Sequence, residues 1–210
     1  ISVVDANSST FSANMYLNEP QNLTYTANVQ TINGYGVTCN WGCDGIISIL
    51  NVSGGVGAPI DYSFDGGNTF SPIWSATDLC PGTYYLAVRD GAGCIFPDTV
   101  TINAPVPLVV SNTFTDLTCF ESGDGSIDVS VSGGVSPYTF SWNASNGFSS
   151  NLEDISSLDS GIYISQVTDA NGCQYNQTIT ITQPDSLFAI YSTIQNILPG
   201  VNNASISAVL

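Results

Sequence analysis

Cysteine and acidic side chains are the groups of this chain that could do chemistry, because it has neither histidine nor lysine. Without histidine, no Ser-His or Cys-His nucleophile can form, and the commonest zinc ligand is missing. A single basic residue, Arg89, stands against seventeen acidic ones. Such a surface repels phosphate backbones and anionic lipids. We therefore expect no nucleic acid partner, and since no apolar run approaches eighteen residues, no membrane insertion.

The cysteines occur in even numbers in two similar stretches of the chain, which favours disulfides and an oxidising compartment. Positions shared by both stretches predict one long-range bond in each, and the two remaining cysteines predict a third bond. The predicted disulfides are Cys39–Cys94, Cys119–Cys173 and Cys43–Cys80. The alternative is a zinc site made of the four cysteines of the first stretch, although the second stretch keeps only one pair.

Acidic side chains cluster in two places, at Asp61 with Asp65 and at Glu121 with Asp124 and Asp128. Aspartate beside glycine commonly forms turns, which is the first interpretation of these clusters. The alternative is calcium, for which oxygen ligands are suited, with Asp124 and Asp128 as candidates. No twelve-residue calcium loop is present. Carboxylates without a nucleophile and its base do not predict catalysis, so we expect no enzyme and no cofactor other than this calcium.

Two short phrases recur along the chain and define its organisation. A Val-x-Asp phrase and a Pro-x-x-Leu phrase each occur three times, both at intervals of 85 and then 79 residues. The intervals predict the last hairpin of one repeat (1–20), two complete repeats (21–105 and 106–184) and the beginning of another (185–210). Because the sequence starts and stops inside a repeat, we expect it to be a segment of a longer protein.

Within each repeat, polar and apolar residues alternate with a period of two, as in SIDVSVS (126–132) and QTITITQ (177–183). Gly, Asn, Asp and Pro separate these runs. No helix longer than a turn or two is predicted, and 151–158 is the best candidate. Six or seven short strands in about 80 residues predict an all-β fold of tandem immunoglobulin-like antiparallel β-sandwiches with Greek-key connections.

Several single residues receive structural roles from this pattern. Tyr84 and Tyr163, in Leu-x-x-Gly-x-Tyr, match the tyrosine that Greek-key sandwiches carry near the start of strand F. Asp90 and Asp169 are predicted to cap the following F–G hairpin, and Trp142 is predicted to lie in the core.

Trp41 and Trp74 lie outside the pattern that the two repeats share. We expect them to cover the additional Cys43–Cys80 disulfide. A carbohydrate-binding platform is the alternative, because exposed aromatic rings bind sugars through their apolar faces.

The motifs at 119–173 resemble the SprB-type repeats of bacterial cell-surface adhesins. These motifs are Cys-x-x-x-x-Asp-Gly, Ser-Gly-Gly, Pro-Tyr-x-Phe-x-Trp, Leu-x-x-Gly-x-Tyr and Val-x-Asp-x-x-Gly-Cys. The first repeat departs from them by an insertion and by its additional Cys43 and Cys80. The resemblance implies an extracellular, cell-surface location and export by the type IX route.

The resemblance further implies a structural stalk or filament segment of a large secreted adhesin, serving gliding motility or surface attachment. Partners would be neighbouring repeats, lateral copies in a filament, and surface glycans or other cells contacted by regions outside this segment. A carbohydrate- or calcium-binding extracellular module is the alternative. Bacteria with such repeats glycosylate Asp-Ser/Thr before an apolar residue, which makes Thr99 and Ser186 candidates, the other interpretation being ordinary surface hydroxyls.

Overall fold

The computed structural model describes residues 2–14 and 19–188. Across these ranges the chain forms fifteen strands and no helix, so the all-β prediction is confirmed. Two compact units meet in sequence at the bond between Ala104 and Pro105. The best helix candidate, 151–158, instead ends in the strand Ile155–Leu158. Most of the predicted further repeat, 185–210, lies outside the described residues.

The second unit contains two antiparallel sheets that share one sandwich core. Its strands are β9 (Val109–Thr115), β10 (Gly125–Ser132), β11 (Thr139–Ala144), β12 (Ser149–Ser150), β13 (Ile155–Leu158), β14 (Gly161–Thr168) and β15 (Gln174–Ile181). One sheet has the order β13-β10-β9 and the other β12-β11-β14-β15. In immunoglobulin lettering these are E-B-A and C′-C-F-G, and the chain changes sheet between B and C, between C′ and E, and between E and F. This is an immunoglobulin-like sandwich.

The first unit repeats this arrangement without strand C′. Its strands are β3 (Thr24–Val29), β4 (Gly45–Ser53), β5 (Asp61–Ser63), β6 (Ser75–Leu79), β7 (Gly82–Arg89) and β8 (Ile95–Ile102). The sheets are β3-β4-β6 and β5-β7-β8. A separate hairpin precedes them, in which β1 (Ser2–Val4) pairs with β2 (Thr10–Ser12).

The alternation seen in the sequence places one face of each strand in the core. In β10, Ile127 and Val129 are buried while Asp128 between them is exposed. Trp142 is buried as predicted, and its indole N–H donates to the carbonyl oxygen of Leu152 at 2.9 Å. Burial of aromatic side chains of this size supplies a large part of the stability of a small domain.

Both predicted strand F tyrosines are confirmed. The Tyr84 hydroxyl donates to the carbonyl oxygen of Cys80 at 2.9 Å, and the Tyr163 hydroxyl donates to that of Asp159 at 2.8 Å. The side-chain amide of Asn146 also donates to the Tyr163 hydroxyl at 3.1 Å. The tyrosine therefore fixes the E–F loop against the start of strand F in each unit.

The chain enters and leaves each unit at opposite ends. At the leading end of the second unit, the Gly134 amide in the B–C loop donates to the Val106 carbonyl at 2.9 Å. At the trailing end, the Leu117 amide in the A–B loop donates to the Thr182 carbonyl, just after strand G, at 3.0 Å. We therefore use leading end for the B–C and F–G loops, and trailing end for the A–B and E–F loops.

The first unit has the same polarity. The Gly55 amide donates to the Gln21 carbonyl at 2.8 Å at its leading end, and the Gly36 amide donates to the Asn103 carbonyl at 2.9 Å at its trailing end. Strand F joins the two ends of each unit with eight residues. At the rise of a β-strand, eight residues span about 26 Å.

Replacing Tyr163 by Phe should lower the free energy of unfolding of the second unit by about 1 kcal/mol, because the Asp159 carbonyl and the Asn146 side-chain amide lose the buried Tyr163 hydroxyl as their partner. Urea unfolding followed by near-ultraviolet circular dichroism measures the change. Tyr84→Phe is the matched control, and since Tyr84 is only half-buried its cost should be smaller. An unchanged midpoint for Tyr163→Phe would contradict the structural role of the hydroxyl.

Candidate functional site

An aspartate carboxylate organises the leading end of each unit. Asp169 Oδ1 accepts from the amides of Asn171 and Cys173, at 2.8 and 2.9 Å. Asp169 Oδ2 accepts from the amide of Val135 in the B–C loop at 2.9 Å. One side chain therefore closes the F–G turn and also binds a loop that leads out of the other sheet.

Asp90 makes the equivalent contacts in the first unit. Its Oδ1 accepts from the Ala92 and Cys94 amides at 3.1 and 2.8 Å, and its Oδ2 from the Val56 amide at 2.7 Å. These backbone hydrogen bonds, that of Val56 foremost, hold the Asp90 pKa below its usual value. The predicted capping role of both aspartates is confirmed.

The same turn occurs a third time, in the hairpin of β1 and β2. Asp5 Oδ1 accepts from the amides of Asn7 and Ser9 at 2.9 and 2.8 Å. Ser9 stands where the two complete units have cysteine. The repeated phrase in the sequence is therefore a repeated turn in the structure.

A second aspartate organises the A–B loop at the trailing end. Asp124 accepts from the Ser122 hydroxyl, and from the Thr118 hydroxyl and amide at 2.5 and 3.1 Å. The two hydroxyls, that of Ser122 first, lower the Asp124 pKa to about 2. In the first unit, Asp44 accepts from the Thr38 amide at 3.1 Å, and hydrogen bonds from Thr38 lower its pKa.

The proposed calcium ligands do not come together. Asp124 lies in the A–B loop, whereas Asp128 lies four residues further along strand β10, a separation of about 13 Å in an extended strand. Asp124 is also occupied by its own loop, and Glu121 in that loop is exposed. Among the described residues, no group of three or more Cys, Asp or Glu is placed to hold a metal ion. The structure therefore does not bring Asp124 and Asp128 together, and calcium binding by this chain stays a prediction.

The other acidic pair has separate structural roles. Asp61 forms an ion pair with Arg89 at 2.8 Å, and the Arg89 guanidinium lies 4.3 Å from the centre of the Phe70 ring. Asp65 accepts from the Ser63 and Thr69 hydroxyls, both at 2.6 Å, and these bonds lower its pKa. Each carboxylate is therefore engaged with its own neighbours.

The predicted Cys43–Cys80 disulfide is present. Its S–S distance is 1.97 Å and its Cα atoms lie 3.9 Å apart. It joins the A–B and E–F loops at the trailing end of the first unit, next to the carbonyl that accepts from Tyr84. In the second unit, Gly123 and Asp159 occupy the corresponding positions, and a Cβ atom on Gly123 would lie 3.4 Å from a carboxylate oxygen of Asp159.

The predicted Cys39–Cys94 and Cys119–Cys173 bonds are wrong, because Cys94 and Cys119 are unpaired, exposed thiols. The reason is distance. In each unit the first cysteine lies in the A–B loop at the trailing end and the second follows the F–G turn at the leading end, about 26 Å away along strand F. A disulfide needs Cα atoms within about 7 Å. Cys39 and Cys173 are each disulfide-bonded, but not to those thiols. The same separation excludes the four-cysteine zinc site.

The remaining candidate side chains lie at the surface. The exposed fractions of Trp41 and Trp74 are 62% and 51%, and covering of the Cys43–Cys80 disulfide by them stays a prediction. Thr99, in β8, and Ser186, after the last strand, are both exposed. Both remain candidates for modification.

A groove on the first unit was not foreseen from the sequence. Its volume is about 460 Å³. Tyr85, 62% exposed, lies opposite Thr99 in the β7–β8 ladder, and the Gly66 amide donates to the Tyr85 carbonyl at 2.8 Å. The sequence feature that could have indicated Tyr85 is the alternation of inward and outward side chains in β7. Since Leu86 and Val88 are buried, Tyr85 must face outward. The groove is lined by Asp65, Gly66, Asn68, Tyr85, Leu86, Pro97, Asp98 and Thr99.

One family model matches part of the second unit. Residues 111–147, from β9 to the turn after β11, match the family model of the SprB repeat. This stretch of the second unit is similar to the SprB repeat. Such repeats occur in surface proteins, and the match indicates an adhesin-related cell-surface module. Neither the SprB repeat nor the immunoglobulin-like fold is an enzyme family.

The other comparisons add little. No curated protein matches the chain. Among solved structures it is similar to the amphioxus IgVJ-C2 molecule, with 13% identity and a TM-score of 0.32, over 75% of this chain and 96% of that one. The fold assignment rests on the strand order, not on this likeness. No helix long and apolar enough to cross a membrane occurs in the described part of the chain.

The lowered aspartate pKa values predict how stability depends on pH. The stabilisation that Asp124 contributes is complete above its unfolded pKa of about 4 and is lost as the pH falls through its folded pKa of about 2. Asp124→Asn should therefore lower the melting temperature at neutral pH and flatten its decline between about pH 4 and 2. Asp128→Asn removes the same charge from an exposed carboxylate outside the A–B loop and is the matched control. Parallel curves for wild type and Asp124→Asn would contradict this assignment.

Proposed function

We propose that the chain is a load-bearing stalk segment of a large secreted adhesin on the bacterial cell surface, with export by the type IX route and attachment or gliding as its setting. The observation that carries the proposal is the polarity of each unit. The SprB repeat and the disulfide, which requires an oxidising compartment, support an extracellular location.

The polarity determines how tension acts on a unit. Strand A begins at the leading end and strand G finishes at the trailing end, so a pull along the chain acts parallel to the strands. In the second unit, seven residue pairs join β9 to β10 and eight join β14 to β15. Force parallel to a ladder loads its hydrogen bonds together, whereas force across a ladder breaks them one at a time. This geometry favours resistance to extension.

The disulfide of the first unit adds a limit to extension. Cys43 and Cys80 are separated by 37 positions in the sequence. If the first unit unfolds under load, the chain between these cysteines cannot be pulled out while the bond is intact. The bond also restricts the unfolded chain, with an entropic effect of about 4 kcal/mol for a loop of this length.

The composition suits an exposed position. The formal net charge is −16, with Arg89 as the single basic residue. Proteases that cleave after Lys or Arg would have one site, and Arg89 is already held by Asp61 and Phe70. A net charge of this size also keeps neighbouring chains soluble by repulsion.

A carbohydrate-binding role is the second candidate, and the groove of the first unit favours it. An exposed tyrosine beside amide and hydroxyl groups suits the apolar face and hydroxyls of a sugar. Asp65 and Asp98 in the lining disfavour acidic sugars, so a neutral saccharide is the expected ligand.

Single-molecule stretching tests the stalk function. The test uses a variant in which Cys43 and Cys80 are the only cysteines left. On unfolding, its first unit should extend by about 130 Å less when Cys43–Cys80 is oxidised than when it is reduced. Adding Cys43→Ser and Cys80→Ser should remove the difference, and the second unit is an internal control with an unchanged extension. Units that unfold without a resolvable force peak would overturn the load-bearing role. The other cysteines are removed by Cys39→Ser, Cys94→Ser, Cys119→Ser and Cys173→Ser.

Binding to an array of neutral oligosaccharides tests the second candidate. Tyr85→Ala should weaken binding about tenfold, which corresponds to the loss of one stacking contact. Trp74→Ala, at an exposed aromatic residue outside the groove lining, is the matched control and should bind normally. Loss of binding in Trp74→Ala alone would instead assign the platform to that indole, and an absence of binding by the wild type would exclude the neutral saccharides tested.

A further inference from the structure

Two exposed thiols remain at opposite ends of the repeat pattern. Cys94 follows the F–G turn at the leading end of the first unit, and Cys119 lies in the A–B loop at the trailing end of the second unit. Each has an equivalent in the other unit. The equivalent of Cys94 is Cys173 and that of Cys119 is Cys39, and both of these are disulfide-bonded. A cysteine in the A–B loop and a cysteine after the F–G turn can therefore each form a disulfide in this chain.

We propose that Cys94 and Cys119 are complementary halves of a disulfide between separate repeat pairs, in which the trailing-end thiol of one bonds to the leading-end thiol of another. A second copy of this chain supplies the partner in solution. The inference does not depend on the stalk function, since it rests only on the position of each cysteine within its own unit.

Both thiols are held on ordered backbone. The Cys94 amide donates to Asp90 Oδ1 at 2.8 Å and its carbonyl accepts from the Asp90 amide at 3.0 Å. The Cys119 carbonyl accepts from the Ser122 amide at 3.3 Å. A fixed, exposed thiol loses less conformational freedom on bonding than one on a free terminus. The turn and the loop therefore present their sulfur atoms for reaction.

The polarity of the units selects the pairing of unlike ends. Joining a trailing end to a leading end continues the direction of the chain and is heterologous, so it can be repeated without limit. Joining two leading or two trailing ends makes a two-fold dimer that cannot grow. Because only the unlike pairing can continue from one repeat pair to the next, it is the pairing that the proposal specifies.

Formation of the bond is a two-electron oxidation. One cysteine forms a mixed disulfide with oxidised glutathione, and the thiolate of the other attacks it. In total, two protein thiols and one oxidised glutathione give one protein disulfide and two reduced glutathione molecules, so the electrons and hydrogen atoms pass to the glutathione. In the cell, a thiol–disulfide oxidoreductase would be the class of oxidant required.

Oxidation of the purified chain with a glutathione redox buffer tests the proposal. Wild type should give a ladder of oligomers on non-reducing gels, with Cys94 linked to Cys119 in peptide mass spectra. Cys94→Ser alone and Cys119→Ser alone should lose the ladder, whereas an equimolar mixture of the two should give a dimer and nothing larger. The double variant should remain a monomer.

Two outcomes would overturn the inference. One is a dimer from Cys94→Ser alone, joined through two Cys119 residues, in the same yield as the mixture. The other is a mixture that stays monomeric while circular dichroism shows that both variants are folded. Because both side chains are exposed, the substitutions to serine should leave the fold intact.

Discussion

A single buried carboxylate after strand F holds the two sheets of each unit in one arrangement. Asp90 and Asp169 are 4% and 5% exposed, and each accepts backbone amides from the F–G turn and from the B–C loop. Strand B belongs to one sheet and strands F and G to the other, so the carboxylate connects the sheets at the leading end. Removal of such a group would leave several amide donors without a partner, at a cost of about 1–3 kcal/mol for each buried one.

The trailing end is built on the same principle with different atoms. There the tyrosine hydroxyl of strand F binds the E–F loop, and Asp44 or Asp124 binds the A–B loop. Both ends of each sandwich are therefore closed by side chains that form hydrogen bonds with the backbone of the loops. The hydrogen-bonded ladders between the strands are then the part of each unit that tension would load. The different closures also give each unit a direction, from its leading end to its trailing end.

The parts of this molecule that follow from local rules could be predicted from the sequence. The alternation of polar and apolar residues predicted the strands. The recurring tyrosine and aspartate have the roles that their motifs indicate, because the predicted contacts span four positions or fewer, as from Tyr163 to Asp159. The two long-range cysteine pairings could not be obtained this way, although Cys43–Cys80 was predicted correctly. Cys39 and Cys94 belong to one repeat in sequence, but a full strand separates them in space, and only the position of each loop on the sandwich reveals this. The groove beside Tyr85 likewise depends on how one loop folds over a sheet.

The two units share a fold but differ in one cross-link, which would change how each unit responds to the proposed load. Cys43 and Cys80 lock part of the first unit, whereas Gly123 and Asp159 stand at that place in the second. Units in series experience the same tension. On unfolding, the first unit cannot release the chain between Cys43 and Cys80, whereas no bond at the corresponding positions holds back that part of the second unit. A bond between the A–B and E–F loops in one unit and not in the next would therefore make the two units lengthen by unequal steps under tension.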